Sequence, residues 1–150
     1  MKINVTLNGL ATVLEIEPHE MLLDVLRRHG CLSVKRGCDT SSCGVCTVLM
    51  DGAPVLSCSL FAAKVEGCQI LTVEGMRQEV EEFAEFMTAQ GADQCGYCNP
   101  GLALTVLAMK KALAHPDEET IKDYLTGNLC RCSGYVGQLR AIKQFLGVNS

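Results

Sequence analysis

Ten cysteines lie at positions 31, 38, 43, 46, 58, 68, 95, 98, 130 and 132 of the 150-residue chain. Eight of them fall into two sets. Cys38, Cys43 and Cys46 share the stretch "GCDTSSCGVC", and Cys58 follows further on. A C-x4-C-x2-C loop with a remote fourth thiol is a spacing that suits a [2Fe-2S] cluster, because one loop wraps three thiolates and a second segment closes the site. Structural zinc frameworks more often present two C-x2-4-C pairs. Gly37 and Gly44 are expected to let this loop turn tightly and bring backbone N–H groups near sulfur.

The second set is Cys95 and Cys98 in "QCGYCNPG" with Cys130 and Cys132 in "CRC". On spacing alone these four suit zinc as well as iron and sulfide. Asn99 and Pro100 read as the N-cap and first-turn residue of an apolar helix, which puts Cys98 at the positive end of the helix dipole, where a thiolate is stabilised. Residues 129–133 read as an extended loop that presents Cys130 and Cys132 on the way into a last helix. Cys31 and Cys68 belong to neither set and read as small buried apolar residues, with a disulfide between them left open.

The elements that must position these thiols change character near Gly75. Before it, "KINVTL" and "ATVLEIE" alternate around Asn8-Gly9, "TVLM" and "PVLSC" flank Asp51-Gly52, and "QILTV" is a short final strand; both dipeptides are hairpin signals. "HEMLLDVLRRHG" reads as one helix ended by Gly30. After Gly75, Val80, Phe83, Ala84 and Met87 mark a helical face, and "GLALTVLAMKKALA" is apolar nearly all round and should sit centrally. "DEETIKDYL" starts with acids and has Gly127 just past its end, and Val136, Leu139, Ile142 and Phe145 repeat on the last helix. Four helices there suggest a bundle behind an α+β first half.

Composition sets limits on function. Hydrophobic residues make up 48% and charged residues 20%, as in an ordinary globular protein. The net charge of -4 and the absence of a Lys/Arg run longer than two argue against nucleic acid. No apolar run approaches the roughly 18 residues of a membrane span, and the N-terminus lacks a signal-peptide pattern. The chain therefore reads as cytoplasmic, where thiols stay reduced and clustered cysteines bind metal more often than they form disulfides.

"SVKRGCDTSSCGVCTVLMDGAPVLSC", "QCGYCNPG" and "GNLCRCSGY", in this order and over essentially the whole chain, resemble the small iron-sulfur subunit of the molybdenum hydroxylases, the xanthine dehydrogenase family. The resemblance implies an α+β chain: a β-grasp, plant-type ferredoxin-like domain over 1–75, then an all-α four-helix-bundle domain over 76–150, each with one [2Fe-2S] cluster. The implied ligands are Cys38, Cys43, Cys46 and Cys58 for one cluster and Cys95, Cys98, Cys130 and Cys132 for the other. Gln94 and Cys132 would touch the pterin.

It further implies a non-catalytic electron-transfer subunit of a heterotrimer, which could pair into a dimer of heterotrimers. The large subunit would hold molybdopterin, as its cytosine dinucleotide, and the medium subunit FAD. Single electrons would pass from the pterin through the Cys95 set and then the Cys38 set to FAD while a purine or other N-heterocycle is hydroxylated, a lean that "LSVKRGC" supports. Asn99, Ser133 and Ser42 depart from the family's usual threonine, threonine and glycine. Two other readings stand beside this one: an independent ferredoxin-type carrier, which the helical half and Gln94 disfavour, and a zinc-stapled interaction module.

Overall fold

Alternation along β1 (Lys2–Leu7) turns Ile3, Val5 and Leu7 to one face, where they are buried. The computed structural model describes residues 1–148; Asn149 and Ser150, the end of the expected second domain, lie outside the described residues. β1 pairs antiparallel with β2 (Leu10–Glu15) across Asn8-Gly9, and β3 (Thr47–Met50) pairs with β4 (Ala53–Leu56) across Asp51-Gly52. All four turn residues have positive φ, the conformation such tight hairpins require. β5 (Gln69–Leu71) joins the two hairpins, parallel to β1 and antiparallel to β3, giving the order β2-β1-β5-β3-β4. Helix α1 (Leu22–Arg28) buries Leu22, Leu23, Val25 and Leu26 in the core built on this sheet.

The second half is helical: α2 (Arg77–Ala89), α3 (Asn99–Ala112), α4 (Glu118–Tyr124) and α5 (Val136–Leu146). Every residue of α3 from Gly101 to Met109 is buried, because α3 packs against α2 on one side and against β3 and β4 on another. Leu49 of β3 thereby joins the helical core. The chain is thus α+β, with a ferredoxin-like half followed by a helical half.

Several local expectations shift. Phe86, rather than the exposed Ala84, completes the α2 seam, since its ring meets Phe145 edge-on at 5.6 Å beside Phe83 at 5.2 Å. Val136 is 58% exposed, because it opens α5 beyond the point where the other helices cover it. Gly127 does not cap α4, which ends at Tyr124 with Leu125 at the cap position. The α4 N-terminus is capped by Asp117, which accepts the Thr120 N–H at 2.8 Å.

Gly75, at the expected boundary, ends a short 3-10 turn (Val73–Gly75). A β-carbon there would lie 2.5 Å from Asn8 Oδ1. That Asn8 oxygen accepts the Thr72 N–H at 2.8 Å, and Glu74 accepts from both Ser33 N (2.8 Å) and Ser33 Oγ (2.6 Å), so this stretch is stitched to the first half.

Candidate functional site

The first loop bends through Ser41 (φ 55) and Gly44 (φ 73) and gathers N–H donors on sulfur. Backbone N–H groups of Ser42, Thr40 and Cys43 hold the Cys38 thiol down to about 6, far below an ordinary cysteine. Ser42 fills that role through its backbone, so the departure from glycine keeps the donor. Gly37 is needed for space rather than for its dihedral: a β-carbon would lie 3.0 Å from Cys43 Sγ, and its N–H opposes the burial that raises Cys43.

Cys58 does not end a strand. It sits in a 3-10 turn (Ser57–Ser59), formed where Ser57 Oγ donates to the Cys46 carbonyl at 2.7 Å and turns the chain back. This delivers the Cys58 thiol to Cys46, whose own thiol burial pushes up to about 11 while the Cys58 N–H acts against the rise. The four thiols act on one another, Cys38 with Cys43 and Cys46 with both Cys58 and Cys43.

The second set pairs across its two segments. Burial, then hydrogen bonding to Cys130, pushes Cys98 up to about 11. Desolvation acts strongest on Cys130 and would raise it, yet hydrogen bonds from the Ser133 side chain and N–H, the Cys132 N–H and Cys98 together lower it. Cys132 is raised first by its hydrogen bond with Cys95. The residue before α3 is Cys98 itself; Asn99 is already helical and its amide donates to Asp93, which corrects the expected N-cap. Residues 129–133 do not run extended either: they bend, so that Ser133 N–H reaches Cys130 Sγ at 3.4 Å and Cys130 N–H reaches Tyr135 Oη at 3.0 Å.

Among the described residues no three His, Cys, Asp or Glu side chains form a group for one metal ion. Each set gathers four mutually acting thiols beside N–H donors. That donor set fits a two-iron, two-sulfide cluster, which takes two thiolates on each iron. Cys31 and Cys68 are free; Cys31 is buried as expected, with its thiol raised by burial, whereas Cys68 is only partly covered.

The two sets are joined through backbone. Leu129 N–H donates to the Cys43 carbonyl at 2.9 Å, one peptide before Cys130. A β-carbon on Gly44 would lie 2.1 Å from the Gly127 carbonyl oxygen, and one on Gly101 would lie 2.2 Å from that of Gly44. Tyr97, between Cys95 and Cys98, donates its hydroxyl to the Arg36 carbonyl at 2.8 Å, with Lys35 Nζ 4.8 Å from its ring centroid. Gln94 is exposed beside exposed Cys95 and donates to the Gly91 carbonyl at 3.3 Å. The sequence reading missed Ser57, Gly101, Leu129 and Tyr135. Only Gly101 and Tyr135 carried any signal, as a glycine after Pro100 and an aromatic after Gly134.

A model described as a 2Fe-2S iron-sulfur cluster binding domain matches residues 5–73, and one described as a [2Fe-2S] binding domain matches residues 72–143. The chain is 41% identical to the nicotinate dehydrogenase small FeS subunit of Eubacterium barkeri, covering 89% of this chain and 87% of that one. It is 42% identical to the xanthine dehydrogenase iron-sulfur-binding subunit of Escherichia coli O157:H7, covering 89% and 86%. Among solved structures it resembles quinoline 2-oxidoreductase from Pseudomonas putida 86, with a TM-score of 0.85, 39% identity, and coverage of 95% of this chain and 90% of that one.

Proposed function

Because the chain belongs to the small iron-sulfur subunits of the molybdenum hydroxylase family, we propose that its two thiol quartets connect a molybdopterin in a large subunit with FAD in a medium subunit. As a member of that family it is an electron-transfer, non-catalytic subunit of an oxidoreductase, built on [2Fe-2S] domains. Each [2Fe-2S] cluster, when bound, exchanges one electron at a time. In this reading Cys38 and Cys43 hold one iron and Cys46 and Cys58 the other of the first cluster, and Cys95 with Cys132 and Cys98 with Cys130 divide the second in the same way. The proposed units are 1–75 and 76–150.

The observation that carries the reading is that two four-cysteine loops are held against each other by backbone, through the Leu129 N–H on the Cys43 carbonyl and the close approach of Gly101 to Gly44, with Ser133 N–H on Cys130 Sγ. Gln94, Cys95 and Cys132 are exposed together, which suits the pterin side of the path. Exposed Tyr97, Leu129, Tyr135 and Val136 suit burial by a partner subunit. Gln94 offers an amide to pterin heteroatoms, breaking only its bond to Gly91. In this reading, taken over from the family resemblance, the dinucleotide would be the cytosine form and the assembly a cytoplasmic heterotrimer that could pair into a dimer. No helix among the described residues is long and apolar enough to cross a membrane. Names of relatives acting on nicotinate, xanthine and quinoline favour a purine or other N-heterocycle as substrate.

The test is metal analysis and paramagnetic resonance on oxygen-protected material. About four irons and four labile sulfides per chain are expected, with two signals on reduction. Cys43→Ser should remove one signal and Cys130→Ser the other. A colourless protein with two zincs would overturn the proposal.

A further inference from the structure

Tyr135 combines three features. Its backbone is left-handed (φ 70, ψ -26), a conformation that is uncommon for a bulky residue and natural for glycine. Its side chain is 45% exposed, so burial does not account for the ring. Its hydroxyl accepts the Cys130 N–H at 3.0 Å, closing residues 130–135 into a ring. Inside that ring Ser133 N–H points at Cys130 Sγ at 3.4 Å, and Ser133 Oγ accepts the Tyr135 N–H at 3.1 Å. The Tyr135 carbonyl accepts the Leu139 N–H at 2.8 Å and so anchors the ring to the start of α5. Strain held in place by such a network points to a functional side chain.

We propose that Tyr135 is a positioning residue that raises the reduction potential at the Cys95, Cys98, Cys130 and Cys132 site by holding the Cys130–Ser133 bend through its hydroxyl. The inference rests on the reading that these four thiols hold a cluster. An N–H aimed at a ligand sulfur stabilises the extra negative charge that arrives on reduction, and so favours the reduced form. Without the Tyr135 hydroxyl, the Cys130 N–H loses its acceptor and the bend loosens. Ser133 N–H then no longer points steadily at sulfur, and the potential falls.

The experiment is a redox titration followed by paramagnetic resonance on the complete complex, with Tyr135→Phe and Tyr135→Gly beside the unaltered protein. The two signals are assigned by the Cys43→Ser and Cys130→Ser variants. Phenylalanine keeps the ring and removes the acceptor, while glycine relaxes the backbone and also removes the acceptor. The expected result is a lower potential at the second site in both variants, with the first site unchanged. Ser133→Ala should lower the same potential, and combined with Tyr135→Phe it should add less than the sum, because the two groups act through one bend. An unchanged second-site potential in Tyr135→Phe, or an equal drift of both sites, overturns the inference while leaving the ligand reading intact. Failure of the unaltered protein to give two signals sinks the ligand reading and this inference with it. If Tyr135→Phe loses the second signal alone, the dependence is present in its extreme form; loss of both signals marks a folding role and counts against the proposal.

Discussion

A β-carbon on Gly101 would meet the Gly44 carbonyl oxygen, and one on Gly44 would meet that of Gly127. Both obstacles are backbone and cannot swing aside. Gly44→Ala and Gly101→Ala should therefore each destabilise the chain by more than about 1 kcal/mol, read as a lower denaturant midpoint. Gly127→Ala is the internal control, since its β-carbon would meet nothing within 4 Å. The Cys38 loop was legible in sequence because C-x4-C-x2-C is a local pattern. The pairings of Cys95 with Cys132 and Cys98 with Cys130 were not, because they depend on how a distant loop folds back.

Glu118 gives a pH prediction. Lys122 at 2.6 Å and Lys143 at 2.9 Å hold its carboxyl at about 2, below its ordinary 4.5. A depressed carboxyl contributes stability that is present in full above pH 4.5 and lost as pH falls through about 2. Glu118→Gln should flatten the melting temperature against pH over that window. The group is exposed, so the difference should shrink with added salt.

At the scale of elements, the seam between α2 and α5 rests on Phe83, Phe86 and Phe145. Phe83 is 2% exposed, so Phe83→Ala should cost about 3–5 kcal/mol, measured by urea unfolding. The sequence announced α3 clearly, because a helix apolar all round has nowhere to sit but the interior. It did not define the edges of the other stripes. Spacing put Ala84 and Val136 on the inner faces, but which positions are covered depends on the rings and helices packed against them. The turn carrying Cys58 read as strand for a related reason: its curl comes from Ser57 bonding to Cys46, a contact between segments that no local propensity encodes.

Across the whole molecule, exposed Tyr97, Leu129, Tyr135 and Val136 cluster in the segments that carry Cys95, Cys98, Cys130 and Cys132. Hydrogen exchange over residues 94–98 and 129–136 should slow markedly when the chain joins its larger subunits, and exchange over β1 and β2 should change little. Equal rates in the free chain and the assembly would favour a carrier that visits its partners only briefly.

The contacts of Gly44 with Gly101 and of Leu129 with Cys43 key the two halves to each other backbone to backbone. A hybrid splicing the first half of one relative to the second half of another would keep a sound joint only where both parents retain glycine at these places. The glycines therefore limit which pieces evolution, or an engineer, can exchange between such chains.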